Sequence, residues 1–150
     1  MNDIHFYDPR HGEYCIFSNL HPRPVVFNGE EYATPEHAYQ AAKARHPVMR
    51  RWLMQAPTPE MVAICGDALT EQETVPDWAE HHISLMAALV QAKFDQSPDF
   101  KDLLLSTGER RLVEWSPVDN EIARFWGEYR GEGDNRLGHI LMSLRTAYRR

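Results

Sequence analysis

The sequence predicts an α+β fold, mostly α-helical, as a single domain over residues 1–150 with a small β-sheet near the N-terminus. Three observations carry this expectation. A chain of 150 residues is the size of one compact domain and long enough to bury a core. Short extended pieces bounded by turn signals fill the first third of the chain, up to Tyr32. Beyond it, helix-start signatures and apolar residues at helical spacing dominate.

Taken in order, IHFY at residues 4–7 and PVVF at 24–27 read as strands. Asn28-Gly29 then offers the two left-handed positions of a tight turn, so PVVF and Glu30-Glu31-Tyr32 form a hairpin. Thr34 is an N-cap and Pro35 suits the first helical position, where its missing N–H leaves no bond unmade. That helix is expected to end near Arg45, because Pro47 disfavours the α conformation at His46. Residues 48–54 resume a helical pattern, and Thr58-Pro59-Glu60 starts another helix that Gly66 should stop. Trp78, Leu85, Met86, Leu89, Val90 and Phe94 make a broad apolar stripe, the mark of a central buried helix with these residues in the core. Ser97-Pro98 starts a short helix through Leu105, closed by Thr107-Gly108. Residues 111–115 form a brief strand able to pair with the N-terminal strands. Leu137, Ile140, Leu141 and Leu144 fall at i, i+3, i+4 and i+7 of a closing amphipathic helix. No internal repeat or low-complexity segment interrupts this order.

The formal net charge of −6 argues against broad binding to DNA or membranes, which needs a basic face. Local cationic clusters occur at Lys43, Arg45, His46, Arg50 and Arg51, and at Arg145, Arg149 and Arg150; both read as solvated helix ends. There is no long apolar run and no apolar N-terminal segment, so the expectation is a cytoplasmic protein without a membrane partner. Cys15 and Cys65 lack any zinc-like spacing and read as ordinary thiols. The eight histidines form no HxH, HxxxH or HExxH pair, so neither a metal nor another cofactor is expected. His37 reads as a structural residue of the core.

The segment TPEHAYQAAK, residues 34–43, is the most informative stretch. At about 100° per residue, Lys43 returns to within about 20° of Glu36, roughly 10 Å along the axis, with Gln40 between them. A carboxylate, an amide and an ammonium in one row can grip a polar substrate and supply acid–base or nucleophilic chemistry. The competing reading is a solvated helix face.

Further fragments stand beside this one: FY at 6–7, FSN at 17–19, KF at 93–94, LVE at 112–114, FWG at 125–127 and GEGDNRLGHILMSLR at 131–145. Together, in this order and spacing, they resemble the YbiA-like, or NADAR, family over nearly the whole chain. The resemblance implies a YbiA-like fold and N-glycosidase activity. The implied substrates are phosphoribosylamino-pyrimidine intermediates of riboflavin biosynthesis, or ADP-ribose attached to guanine bases of nucleic acid, which is DNA de-ADP-ribosylation. It also implies that Glu36 and Lys43 are the chemical residues. Cleaving an N-glycosidic bond builds positive charge at C1 of the ribose, which a carboxylate can stabilise or relieve by activating water. A neutral lysine can instead capture the opened sugar as a Schiff base. A close Glu36 would hold the lysine protonated and a neighbouring Arg45 would oppose that, so the two roles compete. Glu36 sits in the first helical turn, where the helix dipole favours the charged form, so base or electrostatic stabiliser is its expected role.

The same resemblance makes Phe17, Ser18 and Asn19 a loop for ribose hydroxyls or phosphate, the competing reading being a turn cap. Trp126 offers a stacking face, or else core. Gly131, Gly133 and Asn135 bring N–H groups towards a phosphate, against the reading of Asn135 as a plain N-cap. Gln40 joins them as a binding residue. Family members place an aspartate three residues before the FWG tryptophan, where this chain has Ala123. Asp119 lies further back, as though NEIA were inserted, and is the third catalytic candidate, with Glu121 as its substitute. Glu114 matches a family position and serves as a buttress. A rival function is a non-catalytic ADP-ribose or nucleotide-binding module using the same pocket; a protein-interaction module is disfavoured by the polar row.

Overall fold

A computed structural model describes residues 2–150. Along the described chain the elements run β1 (Ile4–Phe6), β2 (Val25–Phe27), β3 (Glu30–Tyr32), α1 (Pro35–Lys43), α2 (Pro47–Met54), α3 (Pro59–Asp67), α4 (Trp78–Asp95), α5 (Pro98–Ser106), β4 (Leu112–Glu114), α6 (Glu121–Trp126) and α7 (Arg136–Tyr148). Single 3-10 turns lie at Cys15–Phe17 and Glu71–Glu73. The fold is α+β and mostly helical, as the sequence predicts. The residues group into two compact units, Asn19–Gln96 and a second unit made from both ends of the chain, up to Ser18 and from Ser97.

The continuous unit begins with the hairpin. Asn28 (φ 51°) and Gly29 (φ 80°) both take the left-handed conformation a two-residue turn requires, and Val25 pairs with Tyr32 in antiparallel register. The outer edge of β2 is closed by a side chain: the Gln96 amide donates to the Val26 carbonyl at 2.7 Å and accepts its N–H at 2.8 Å. That pairing satisfies an edge which would otherwise recruit another strand. Thr34 and Thr58 cap α1 and α3 as expected, accepting the backbone N–H groups of His37 and Met61. His46 is extended and Pro47 opens α2. In α4, Met86, Leu89, Val90 and Phe94 are buried, while Trp78 and Leu85 are only half-buried and Lys93 is buried instead. Each fully buried aliphatic or aromatic side chain contributes about 1.5–3 kcal/mol, so this stripe anchors the unit.

In the discontinuous unit, β1 and β4 pair in parallel, Ile4 opposite Leu112 and Phe6 opposite Glu114. The expected pairing of residues 111–115 with an N-terminal strand is therefore present. Leu137, Leu141 and Leu144 bury the inner face of α7. Arg145 departs from its reading as a solvated helix end. It is buried and donates to the Thr107 hydroxyl and the Arg110 carbonyl, both at 2.8 Å. A hydroxyl and an open carbonyl where the chain turns after α5 thus draw a guanidinium inward. Helix α6 is an addition to the sequence reading. Its six residues are too few to show periodicity, and the Asn120 side chain caps it by accepting the Ala123 N–H at 2.8 Å. The segment NEIA is thus an N-cap and a first helical turn.

Among the described residues no helix is long and apolar enough to cross a membrane, and no group of three or more His, Cys, Asp or Glu side chains is placed to hold a metal ion.

Candidate active site

The site on the continuous unit grows from the first turn of α1. Seven consecutive residues from Pro35 to Ala41 are buried, so the polar groups among them must find partners inside. His37 does so structurally. Its Nε2 donates to the Ala56 carbonyl at 3.0 Å, which leaves Nδ1 to accept from the Thr34 hydroxyl at 2.9 Å. That is the structural role expected for it.

Glu36 and Gln40, one turn apart, form the next pair. The Gln40 amide nitrogen donates to Glu36 Oε1 at 2.9 Å, whereas the buried Gln40 carbonyl oxygen has no hydrogen-bond partner. Burial pushes the Glu36 carboxyl up to about 7; the Gln40 hydrogen bond opposes the rise, nearby Asp67 adds to it, and Lys43 opposes it. This reverses the expected bias of the helix start, because desolvation outweighs the dipole of a single helix. Asp67, at the end of α3, is also raised by desolvation, with Lys43 acting against it.

Lys43 ends α1 half-buried and donates to the Gly66 carbonyl at 2.8 Å. The sequence expects Gly66 to stop α3, but the helix continues to Asp67 and the glycine serves another purpose. A Cβ placed there would lie 1.8 Å from Gln40 Oε1. The missing side chain is what admits the Gln40 amide. Gln40, expected to bind substrate, is instead 3% exposed and acts as the donor beside Glu36.

Lys43 also lines an open cavity of about 590 Å³, together with Arg45, Glu71, Thr74 and Trp78. The Trp78 ring stands 4.8 Å from that of Tyr39 and 5.7 Å from that of His82, and Tyr39 and His82 are hydrogen-bonded at 3.1 Å. Such backing holds an indole rigid at the wall of a pocket. Periodicity places Trp78 in the core, whereas the structure leaves it half-buried at the first turn of α4, where a helix stripe can open to solvent. Asn19 belongs to this unit as well. It is buried, its amide nitrogen lies 2.9 Å from the Met86 sulfur, and its carbonyl oxygen is without a partner.

On the discontinuous unit the remaining candidates divide. Phe17 is fully buried, stacked on Tyr14 at 5.5 Å and edge-on to Phe6 at 5.7 Å, so its ring is taken up in packing. Ser18 beside it is buried. The Asn135 side chain makes no cap hydrogen bond to α7. Its carbonyl accepts the Glu114 N–H at 3.1 Å and its amide donates to the Leu112 carbonyl at 2.9 Å, binding α7 to β4. Of the expected phosphate cradle, the Asn135 N–H goes to the Gly127 carbonyl at 3.1 Å, and the neighbouring N–H groups of Glu132 and Asp134 go to the carbonyls of Tyr129 and Arg124. Gly133 takes φ +146°, and a Cβ there would lie 2.3 Å from the Gly127 carbonyl oxygen, so its need is conformational and steric. Trp126, half-buried at the end of α6, packs edge-on against Phe125 at 4.8 Å. Asp119 is exposed with both carboxylate oxygens held by Arg124, at 2.6 and 3.1 Å, and that guanidinium keeps its carboxyl below the usual range. Glu121, in the first turn of α6, is exposed.

The NADAR domain family matches residues 5–149. The chain belongs to that family. This NADAR domain is 32% identical to N-glycosidase YbiA of Escherichia coli over 143 residues, 95% of this chain and 86% of that protein. It is 36% identical to an N-glycosidase of Nostoc punctiforme over 140 residues, 91% of this chain and 86% of that protein. It is also 40% identical over 133 residues to the chloroplastic riboflavin biosynthesis protein PYRR of Arabidopsis thaliana, covering 86% of this chain but 20% of that protein. The solution structure of E. coli YbiA superposes with a TM-score of 0.85 at 31% identity, covering 99% of this chain and 87% of YbiA. The YbiA-like fold expected from the sequence is therefore present throughout the NADAR domain.

Proposed function

We propose that this NADAR domain is a hydrolase that cleaves an N-ribosyl linkage of a phosphoribosylamino-pyrimidine of the riboflavin pathway, with Glu36 and Lys43 as its catalytic residues. The observation that carries the proposal is the buried Glu36 carboxyl, held up to about 7, on the same helix as Lys43, which opens onto a cavity of about 590 Å³. A carboxyl titrating near neutrality exchanges a proton readily, so Glu36 is matched to activating water against C1 of the ribose and, once ionised, to stabilising the positive charge that develops there. Lys43 and Arg45 supply cations for a phosphate at the cavity wall, and Trp78 supplies a rigid face for the base. The curated relatives of matching length carry the name N-glycosidase, and the plant relatives are named for riboflavin biosynthesis.

Asn19, in the same unit as Glu36 and Lys43, enters the proposal as a binding group, and Asp119, kept ionised by Arg124, has no proton-transfer role in it. ADP-ribose on guanine is the other substrate the same groups would serve. The free thiols of Cys15 and Cys65 suit a reducing cytoplasm. A mass-spectrometric turnover assay on a phosphoribosylamino-pyrimidine and an ADP-ribosylated guanine oligonucleotide in parallel tests the reading. Release of ribose 5-phosphate is expected; release of ADP-ribose would change the substrate class, and binding of either compound without product would make the domain a nucleotide reader.

A further inference from the structure

Gly66 meets Lys43 through an atom it has, and Gln40, the hydrogen-bond partner of Glu36, through an atom it lacks. Its carbonyl accepts the Lys43 ammonium at 2.8 Å. Its missing Cβ leaves room for the Gln40 amide, whose oxygen, Cδ and Cγ would lie 1.8, 2.3 and 3.0 Å from a methyl group there. Gln40 in turn donates to Glu36 at 2.9 Å. Gln40 is 3% exposed, and its carbonyl oxygen has no polar partner, so no competing hydrogen bond fixes which way the amide faces. The N–H₂ faces Glu36 because only the amide nitrogen can donate to a carboxylate, and the amide as a whole reaches that position because α3 carries no Cβ at Gly66. We propose that Gly66 is a positioning residue for the reaction, acting through Gln40: the bare α3 backbone seats the amide so that it donates to Glu36. The proposal rests on the catalytic assignment of Glu36 above.

The crowded atoms belong to the far end of a flexible side chain, so a methyl group at position 66 displaces Gln40 while sparing the backbone. The consequence reaches Glu36 indirectly. A hydrogen bond to a carboxylate favours its charged form, and losing the bond raises the pH at which Glu36 ionises.

The test is a carbon-13 carboxyl NMR titration of Glu36 in the full chain for the parent, Gln40→Ala, Gly66→Ala and the double variant. Gln40→Ala and Gly66→Ala should each move the Glu36 titration upward by roughly one pH unit. The double variant should match Gln40→Ala, because its methyl group enters space already vacated. A folded Gly66→Ala with the parent's titration would overturn the proposal, as would a double variant that adds a second shift. If Gly66→Ala does not fold, a folded double variant supports the steric coupling. Failure of both to fold overturns it, since the clash would then not be with Gln40. The titration needs no substrate, so a wrong assignment of the reaction would appear separately, as absence of turnover by the parent.

Discussion

Glu36 ionises near pH 7 in the folded chain, against an ordinary value of 4.5. Because the folded value is the higher one, the stability this group contributes is complete below about pH 4.5 and is lost as the pH rises through about 7. The difference amounts to about 3 kcal/mol of strain carried by the ionised form. Glu36→Gln should therefore be more stable than the parent by about 1–3 kcal/mol at pH 8 and show a smaller gain at pH 5, as measured by urea denaturation. The same substitution should lower turnover by about 10²- to 10⁴-fold. In the parent, kcat/KM should rise with pH along a limb centred near 7, not near 4.5, and that limb should vanish in Glu36→Gln. Lys43→Ala should lose turnover by a comparable factor with an unchanged far-ultraviolet circular dichroism spectrum. Borohydride reduction during turnover separates its two modes of action: a sugar adduct on Lys43 means covalent capture, and an unmodified chain means attack by water alone. Asp119→Asn should cost less activity than either, and parity with Glu36→Gln in the same assay would restore Asp119 to the chemistry.

The two Thr-Pro-Glu helix starts look alike in the sequence, yet they differ in what the threonine holds. Thr58 only caps α3, while Thr34 caps α1 and also donates to the imidazole of His37. Thr58→Ala should cost about 1 kcal/mol in thermal denaturation, and Thr34→Ala roughly twice that, because it leaves a buried ring nitrogen without a donor. Equal losses would deny the His37 link. The elements themselves were largely legible. The Asn28-Gly29 turn and the stripe of α4 are local patterns whose stereochemistry permits few alternatives. What stayed hidden depends on neighbours distant in sequence. Nothing around Gly66 announces that Gln40 fills the space where its side chain would be, and nothing near Asn135 tells that its amide serves β4. Helix α6 was missed for its shortness, although Asn120 followed by Glu121 is a helix-start signal.

At the scale of the molecule, a net charge of −6 leaves recognition to the pocket and not to a broad electrostatic surface. An unmodified oligonucleotide should show no binding below about 100 µM at physiological salt by fluorescence anisotropy. Tighter binding with a steep salt dependence would reveal a phosphate-tracking face. The charge balance and the resemblance of the motifs to the NADAR family were readable over the whole chain, whereas the buried Arg145 was not, since its acceptors are 35 and 38 residues away. The pairing of β1 with β4 has a further consequence, in the order of synthesis. The continuous unit, with Glu36 and Lys43, is complete once residue 96 has left the ribosome, but Ile4 must wait for a partner at Leu112 and for α7 beyond it. At translation speeds of about 5–20 residues per second, the first strand spends roughly 1–4 s without β4, and roughly 3–10 s without the whole of α7, after the continuous unit could have closed. Its two buried apolar residues, Ile4 and Phe6, are exposed throughout that interval. Of the elements of this domain, the first to be synthesised is thus among the last to settle, and β1 is the strand most vulnerable to aggregation in the meantime.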